Sequence, residues 1–124
     1  LKNLKLGYNQ NLKFVDNFSF KNLPSIESLS INELSYYGKD LKIVKNLYLN
    51  CCSKFIFKLC LFSQENYLVK VEIMSDYTIE NQISFDDLKN VKLDHLEEFY
   101  MYGFNLVELK SNTFQNMPNM RRLR

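Results

Sequence analysis

The chain has 124 residues, a formal net charge of +2 and 46% apolar residues, which fits about one soluble globular domain and excludes an intrinsically disordered segment. Its 16 Lys and Arg and 14 Asp and Glu form no basic block apart from the closing MRRLR, so neither nucleic acid nor an anionic membrane surface is expected as a partner. Alanine is absent, and a helical bundle without the best helix former would be unusual.

Taken in chain order, the first element is a nine-residue block, LKNLKLGYN, with apolar residues at positions 1, 4 and 6 (Leu1, Leu4, Leu6) and Asn9 at position 9. The block returns as IESLSINEL (Ile26, Leu29, Ile31, Leu34) and VKNLYLNCC (Val44, Leu47, Leu49, Cys52). It returns again as LVKVEIMSD (Leu68, Val71, Ile73, Asp76) and LEEFYMYGF (Leu96, Phe99, Met101, Phe104), and a sixth copy opens at Met120 and Leu123. The starts near 1, 26, 44, 68, 96 and 120 lie 25, 18, 24, 28 and 24 residues apart. Between blocks runs a second pattern. A phenylalanine stands six residues before the next start at Phe20, Phe62 and Phe114, and an apolar residue stands three before it at Leu23, Leu41, Leu93 and Met117. NLKFVDNFSFKNLPSI and NLVELKSNTFQNMPNM superpose residue for residue, Pro24 on Pro118.

Strand block and return block together resemble the leucine-rich repeat family, in the subtype with about 24 residues per repeat and a Phe on the return leg. The resemblance covers the whole chain as one array, uncapped at both ends. It departs from the consensus at Leu34, Asp76 and Phe104, where Asn or Cys is usual, and in the short second and long fourth copies. It implies an α/β solenoid: a right-handed curved stack with a parallel sheet on the concave face and an irregular or short helical convex side. That subtype is commonest outside the cell, including in Toll and Toll-like receptor ectodomains, so the resemblance also implies an extracellular location. A protein ligand or a second receptor chain is then the expected partner, with dimerisation of the full-length protein. The other readings are a secreted immune or matrix adaptor and, third, an intracellular adaptor.

The motif has a physical logic. Alternation in each strand turns the consensus residues inward to stack on neighbouring coils and leaves the intervening positions on the concave sheet. Asn9 is expected to turn inward and bond backbone groups of its turn, with Cys52 a small buried substitute. Phe20, Phe62 and Phe114 should form an internal spine, Leu106 and Leu109 an inward pair, and Met117 the closure of the convex side. SFDDLKNVKLDHL has an N-cap at Ser84 and acids at Asp86 and Asp87, which predicts a short helix.

Function in such a scaffold belongs to the exposed strand positions. Lys5, Tyr48, Asn50, Lys70, Glu72, Glu98, Tyr100, Tyr102 and Arg122 are the candidate ligand-binding residues, because tyrosine and arginine among small polar groups typify protein-binding surfaces. The three cysteines allow a bridge from Cys51 or Cys52 to Cys60 in an oxidising compartment. NFS makes Asn17 a candidate glycosylation site. No cofactor or metal is expected, since the single histidine, His95, has no ligand set around it. The acidic pairs Asp86-Asp87 and Glu97-Glu98 are sequence neighbours that cannot face one another, and no nucleophile is placed near His95, so a non-enzymatic role is expected.

Overall fold

The computed structural model describes residues 1–9, 11–12, 22, 26–32, 44–58, 60–75 and 81–124, with the backbone alone at residues 60 and 61. Strands form at each expected start: β1 (Asn3–Lys5), β2 (Ser28–Asn32), β3 (Asn46–Cys52), β4 (Lys70–Ser75), β6 (Glu98–Tyr102) and β8 (Arg122–Leu123). They pair in that order into one six-stranded parallel sheet, the signature of stacked solenoid coils. The pairing is in consensus register: Leu4 lies beside Leu29, Leu29 beside Leu47, Leu47 beside Val71, Val71 beside Phe99 and Phe99 beside Leu123.

A backbone device repeats this register at every step. The second-position carbonyl of each coil accepts two N–H groups from the next coil: Lys2 from Glu27 and Ser28, Glu27 from Lys45 and Asn46, and Lys45 from Val69 and Lys70. Val69 accepts from Glu97 and Glu98, and Glu97 from Arg121 and Arg122, all ten bonds lying between 2.8 and 3.1 Å. Both lone pairs of one oxygen are thereby used, so a slip of one residue would break two bonds at once and turn the leucines out of the core.

The alternation does what the spacing requires. Ile26, Leu29, Ile31, Val44, Leu47, Leu49, Leu68, Val71, Ile73, Leu96 and Phe99 are buried, most of them completely. Each such side chain removed from water contributes about 1.5–3 kcal/mol. The first and sixth coils, packed on one side only, leave Leu4, Leu6 and Met120 half-buried against the core and expose Leu1 and Leu123, and Met101 of the fifth coil, beside the short β8, is also half-buried.

At the end of the strand block the chain turns through the left-handed region. Position 8 carries φ 63° at Tyr8, 57° at Cys51 and 75° at Gly103. The backbone curl brings position 9 back toward its own strand. Asn9 Nδ2 donates to the Leu6 carbonyl (3.0 Å) and Cys52 Sγ to the Asn50 carbonyl (3.6 Å). Cys52 is fully buried, whereas Asn9, on the first coil, bonds as expected but stays exposed.

The convex side is irregular with short helical turns. A 3-10 turn (Lys54–Lys58) leads into α1 (Cys60–Ser63), and α2 (Phe85–Leu88) begins at Ser84, whose N–H donates to Asp87 Oδ2 at 2.9 Å. A small parallel pair, β5 (Gln82–Ile83) with β7 (Asn105–Leu106), joins the fourth and fifth coils beside the main sheet. Asparagines bridge the return legs: Asn66 Nδ2 donates to the Lys92 carbonyl (2.8 Å), Asn116 Nδ2 to that of Lys89 (2.8 Å) and Asn119 Nδ2 to that of Asp94 (2.6 Å).

Two expectations for the return leg need correction. Leu109 is 63% exposed; Thr113, 3% exposed, takes the inward place because its Oγ1 accepts the Lys110 N–H at 2.7 Å and closes a tight turn there. The phenylalanine spine is also differently built. Phe62 is fully buried but Phe114 only half-buried, and the coil between them fills its interior with Ile83, Leu88, Val91 and Leu93 instead. The Phe62 ring meets Phe57, 6.1 Å between centroids, and Phe57 in turn meets Phe99 edge to face at 6.1 Å. Leu93 and Met117 are buried as expected. Asn17, Phe20, Leu23, Pro24, Leu34, Leu41 and Asp76 lie outside the described residues.

Candidate binding face on the parallel sheet

Rows of side chains stand on the open face of the sheet, because the register aligns positions 3 and 5 of successive coils; position 7 is aligned between β2 and β3 and between β4 and β6, and a register shift after Leu49 interrupts it between β3 and β4. Position 3 runs Asn3, Ser28, Asn46, Lys70, Glu98, Arg122, and position 5 runs Lys5, Ser30, Tyr48, Glu72, Tyr100. Position 7 supplies Asn32 beside Asn50, and Met74 beside Tyr102. The sheet therefore brings the nine candidate residues onto one surface, in strands about 4.8 Å apart.

Their contacts divide the surface in two. Across β3, β4, β6 and β8 runs a lattice of rings and cations. Lys70 Nζ lies 5.5 Å from the Tyr48 ring centroid and 5.2 Å from that of Tyr100, and it is 3.8 Å from Glu72 Oε2. Arg124 covers the Tyr100 ring at 5.6 Å, Tyr100 Oη donates to Glu98 Oε2 (2.7 Å), and Glu98 Oε1 accepts from Arg122 Nη1 (3.3 Å). Cation–ring contacts of this kind contribute about 0.5–1 kcal/mol each at exposed sites. Tyr100 is consequently only 8% exposed, part of the floor of the face and not a projecting ring; Tyr102, 40% exposed and 6.5 Å from it between ring centroids, projects further from the sheet.

The other half, over β1 to β3, is a depression of about 770 Å³ whose lining includes Lys5, Gly7, Tyr8, Ser30, Tyr48, Asn50 and Met74. Tyr8, which carries no role in the consensus, arches across it: its ring is 69% exposed and its Oη donates to Met74 Sδ at 3.7 Å, three coils away. The signal was present in the repeat, since position 8 is where the chain turns left-handed, but only the backbone shows that this throws a side chain back over the sheet. Asn50 is 7% exposed, and its Nδ2 has no hydrogen-bond partner among the described residues.

The remaining candidates lie elsewhere. Asp86 pairs with Lys89 at 3.1 Å and Asp87 caps α2. His95 stacks on Tyr67, 5.3 Å between centroids and 21° between planes, and the hydrogen bond and charge of Glu65 beside Tyr67 raise that phenol's pKa above its ordinary 10.0. Cys51 is exposed at the strand end, Cys52 is buried in the core, and the Cys60 backbone starts α1; the Cys60 side chain, like Asn17, lies outside the described residues. Among the described residues no group of three or more His, Cys, Asp or Glu is placed to hold a metal ion, and no helix is long and apolar enough to cross a membrane. No protein-family profile, curated protein sequence or solved structure matches the chain.

Proposed function

We propose that this chain is a leucine-rich repeat module that binds protein, a segment of an extracellular receptor of Toll type that recognises a protein ligand or a second receptor chain without catalysing a reaction. The observation that supports this reading most is the composition of the open face: Tyr48, Lys70, Tyr100, Glu98 and Arg122 interlock into a preorganised patch with Tyr102 projecting from it. Rings and cations held in place before contact lose little side-chain entropy on binding, which is what an interface hot spot requires. The extracellular part of the reading rests on repeat length, return-leg phenylalanines, the Asn17 sequon and the cysteines in the third coil.

Two measurements test it. The full-length protein expressed through a secretory pathway should carry glycan at Asn17 and a disulfide at Cys60; an unmodified asparagine together with three reduced thiols would favour the intracellular adaptor. Selection of partners from a library of displayed extracellular proteins should then give binders that lose affinity when Tyr102 and Arg122 are replaced by alanine. Binders indifferent to that double change would place recognition elsewhere.

A further inference from the structure

We propose that the depression over β1, β2 and β3 is a carboxylate subsite, taking an acidic side chain of the protein partner; the inference rests on the protein-binding reading and gives it a chemistry. Asn50 carries it. Its amide is nine-tenths buried on the wall of the depression, and Nδ2 has no acceptor among the described residues. A buried donor left unpaired is costly, so it favours any ligand that brings an oxygen to it.

The surroundings select a charged oxygen. A β-carbon on Gly7 would collide with Asn50 Nδ2 and Ser30 Oγ, so the amide and the hydroxyl lie together against the bare Gly7 backbone, with no side chain of that residue between them and the depression. Lys5 lines the same depression and has no ion-pair partner among the described residues, while the charge of Glu72 on the far side is met by Lys70 at 3.8 Å. The unopposed charge there is positive, and two hydrogen-bond donors stand beside it, which suits a carboxylate better than a neutral carbonyl. Tyr8 is the cover. Among the described residues its hydroxyl bonds only to a thioether, a weak acceptor, so an incoming group displaces the ring at small cost.

The experiment is a titration of the isotopically labelled chain with N-acetyl-aspartate N-methylamide, following the Asn50 side-chain amide and the Gly7 backbone amide by NMR. Saturable shifts at both are expected. Asn50→Leu should weaken the binding seen at Gly7 about tenfold, and Lys5→Gln about threefold. Gly7→Ala, which crowds the amide without touching the ligand, should abolish it. Equal affinity for the neutral N-acetyl-asparagine N-methylamide, for inorganic phosphate or for a methyl glucoside overturns the assignment, as does the absence of any shift. Should a variant lose the dispersed spectrum of a folded chain, the comparison of the four probes on the unaltered protein decides alone. If the acidic probe fails while Tyr102→Ala still weakens a protein partner, the subsite falls and the binding face stands; if the probe binds but no partner depends on the face, the protein-binding reading falls instead.

Discussion

Phe57, on the 3-10 turn of the third coil, reaches Phe99 in the strand of the fifth coil edge to face, with 6.1 Å between ring centroids. The contact passes across the coil between them and ties convex side to sheet. Both rings are nearly or fully buried. Phe57→Ala should therefore cost about 3–5 kcal/mol in a urea titration. Phe114→Ala, at a half-buried ring, should cost less than about 2 kcal/mol. Equal losses for the two would mean that the aromatic core is centred on the return-leg phenylalanines after all.

Asn66 joins two coils on the other side of the solenoid. Its Nδ2 donates to the carbonyls of Gln64 (3.0 Å) and Lys92 (2.8 Å), and its Oδ1 accepts the Leu68 N–H (3.3 Å). Asn66→Ala should lower stability by about 1–3 kcal/mol. Asn66→Asp should be worse at pH 7, because a carboxylate would then face two carbonyl oxygens. Its folded-state pKa would be raised, so the lost stability should return on acidification below the ordinary aspartate value and vanish again as pH rises. A pH-independent deficit would argue against the bridge.

The left-handed turn at position 8 makes a prediction about glycine. Gly103 sits at φ 75°, and Gly103→Ala should destabilise the fold by about 1 kcal/mol, read as a drop in thermal midpoint. Cys51 already holds φ 57° with a side chain, so Cys51→Ala should stay within about 0.5 kcal/mol. A tolerant Gly103 would mean that the turn relaxes.

Tyr100 and Tyr102 are adjacent on the face yet should respond differently. Tyr100→Phe removes the bond to Glu98 and should cost about 1 kcal/mol of stability, while Tyr100→Ala also removes the ring beneath Lys70 and Arg124 and should cost more. Tyr102→Ala should leave stability nearly unchanged, which makes it the cleaner probe of binding. Thermal melts of the three variants test the order.

Tyr67 offers a check by pH. Its phenol donates to Glu65 Oε1 at 3.2 Å, and that bond with the charge of Glu65 raises the pKa from 10.0. A raised folded value means that the small stabilisation is full below the unfolded pKa and is lost as pH climbs through the folded one. Glu65→Gln should move the tyrosinate absorbance midpoint of Tyr67 downward; no movement would show that the pair is open in solution.

Much of this was legible before any coordinates. The positions of the strands, their register, the inward set and the helix at Ser84 follow from spacing, because a consensus leucine has one inward place in a coil. What escaped was decided by backbone direction. Leu109 and Thr113 compete for one inward place, and a hydroxyl that closes the local turn outweighs a leucine whose side chain points away. Phe57 lies in a run, KFIFK, whose period fits neither strand nor helix, so nothing in the letters marked it as core. The strand spacing placed the candidate residues on one side of the sheet, and the register sets them in rows there. That Tyr100 is floor, Tyr102 is rim and Tyr8 is roof depends on which rings the cations cover and on a left-handed turn.

The paired N–H groups on each second-position carbonyl have a mechanical meaning. The stack is a zipper whose every tooth is copied from the one before through a single oxygen, while the return legs hang outside this transmission and vary from 18 to 28 residues per repeat. Loops can lengthen or shorten there without disturbing the alignment of the face. A proline replacing Lys45, Asn46, Val69 or Lys70 would instead unhook one tooth in the middle of the stack, and the array should then melt as two separate blocks in a thermal unfolding curve.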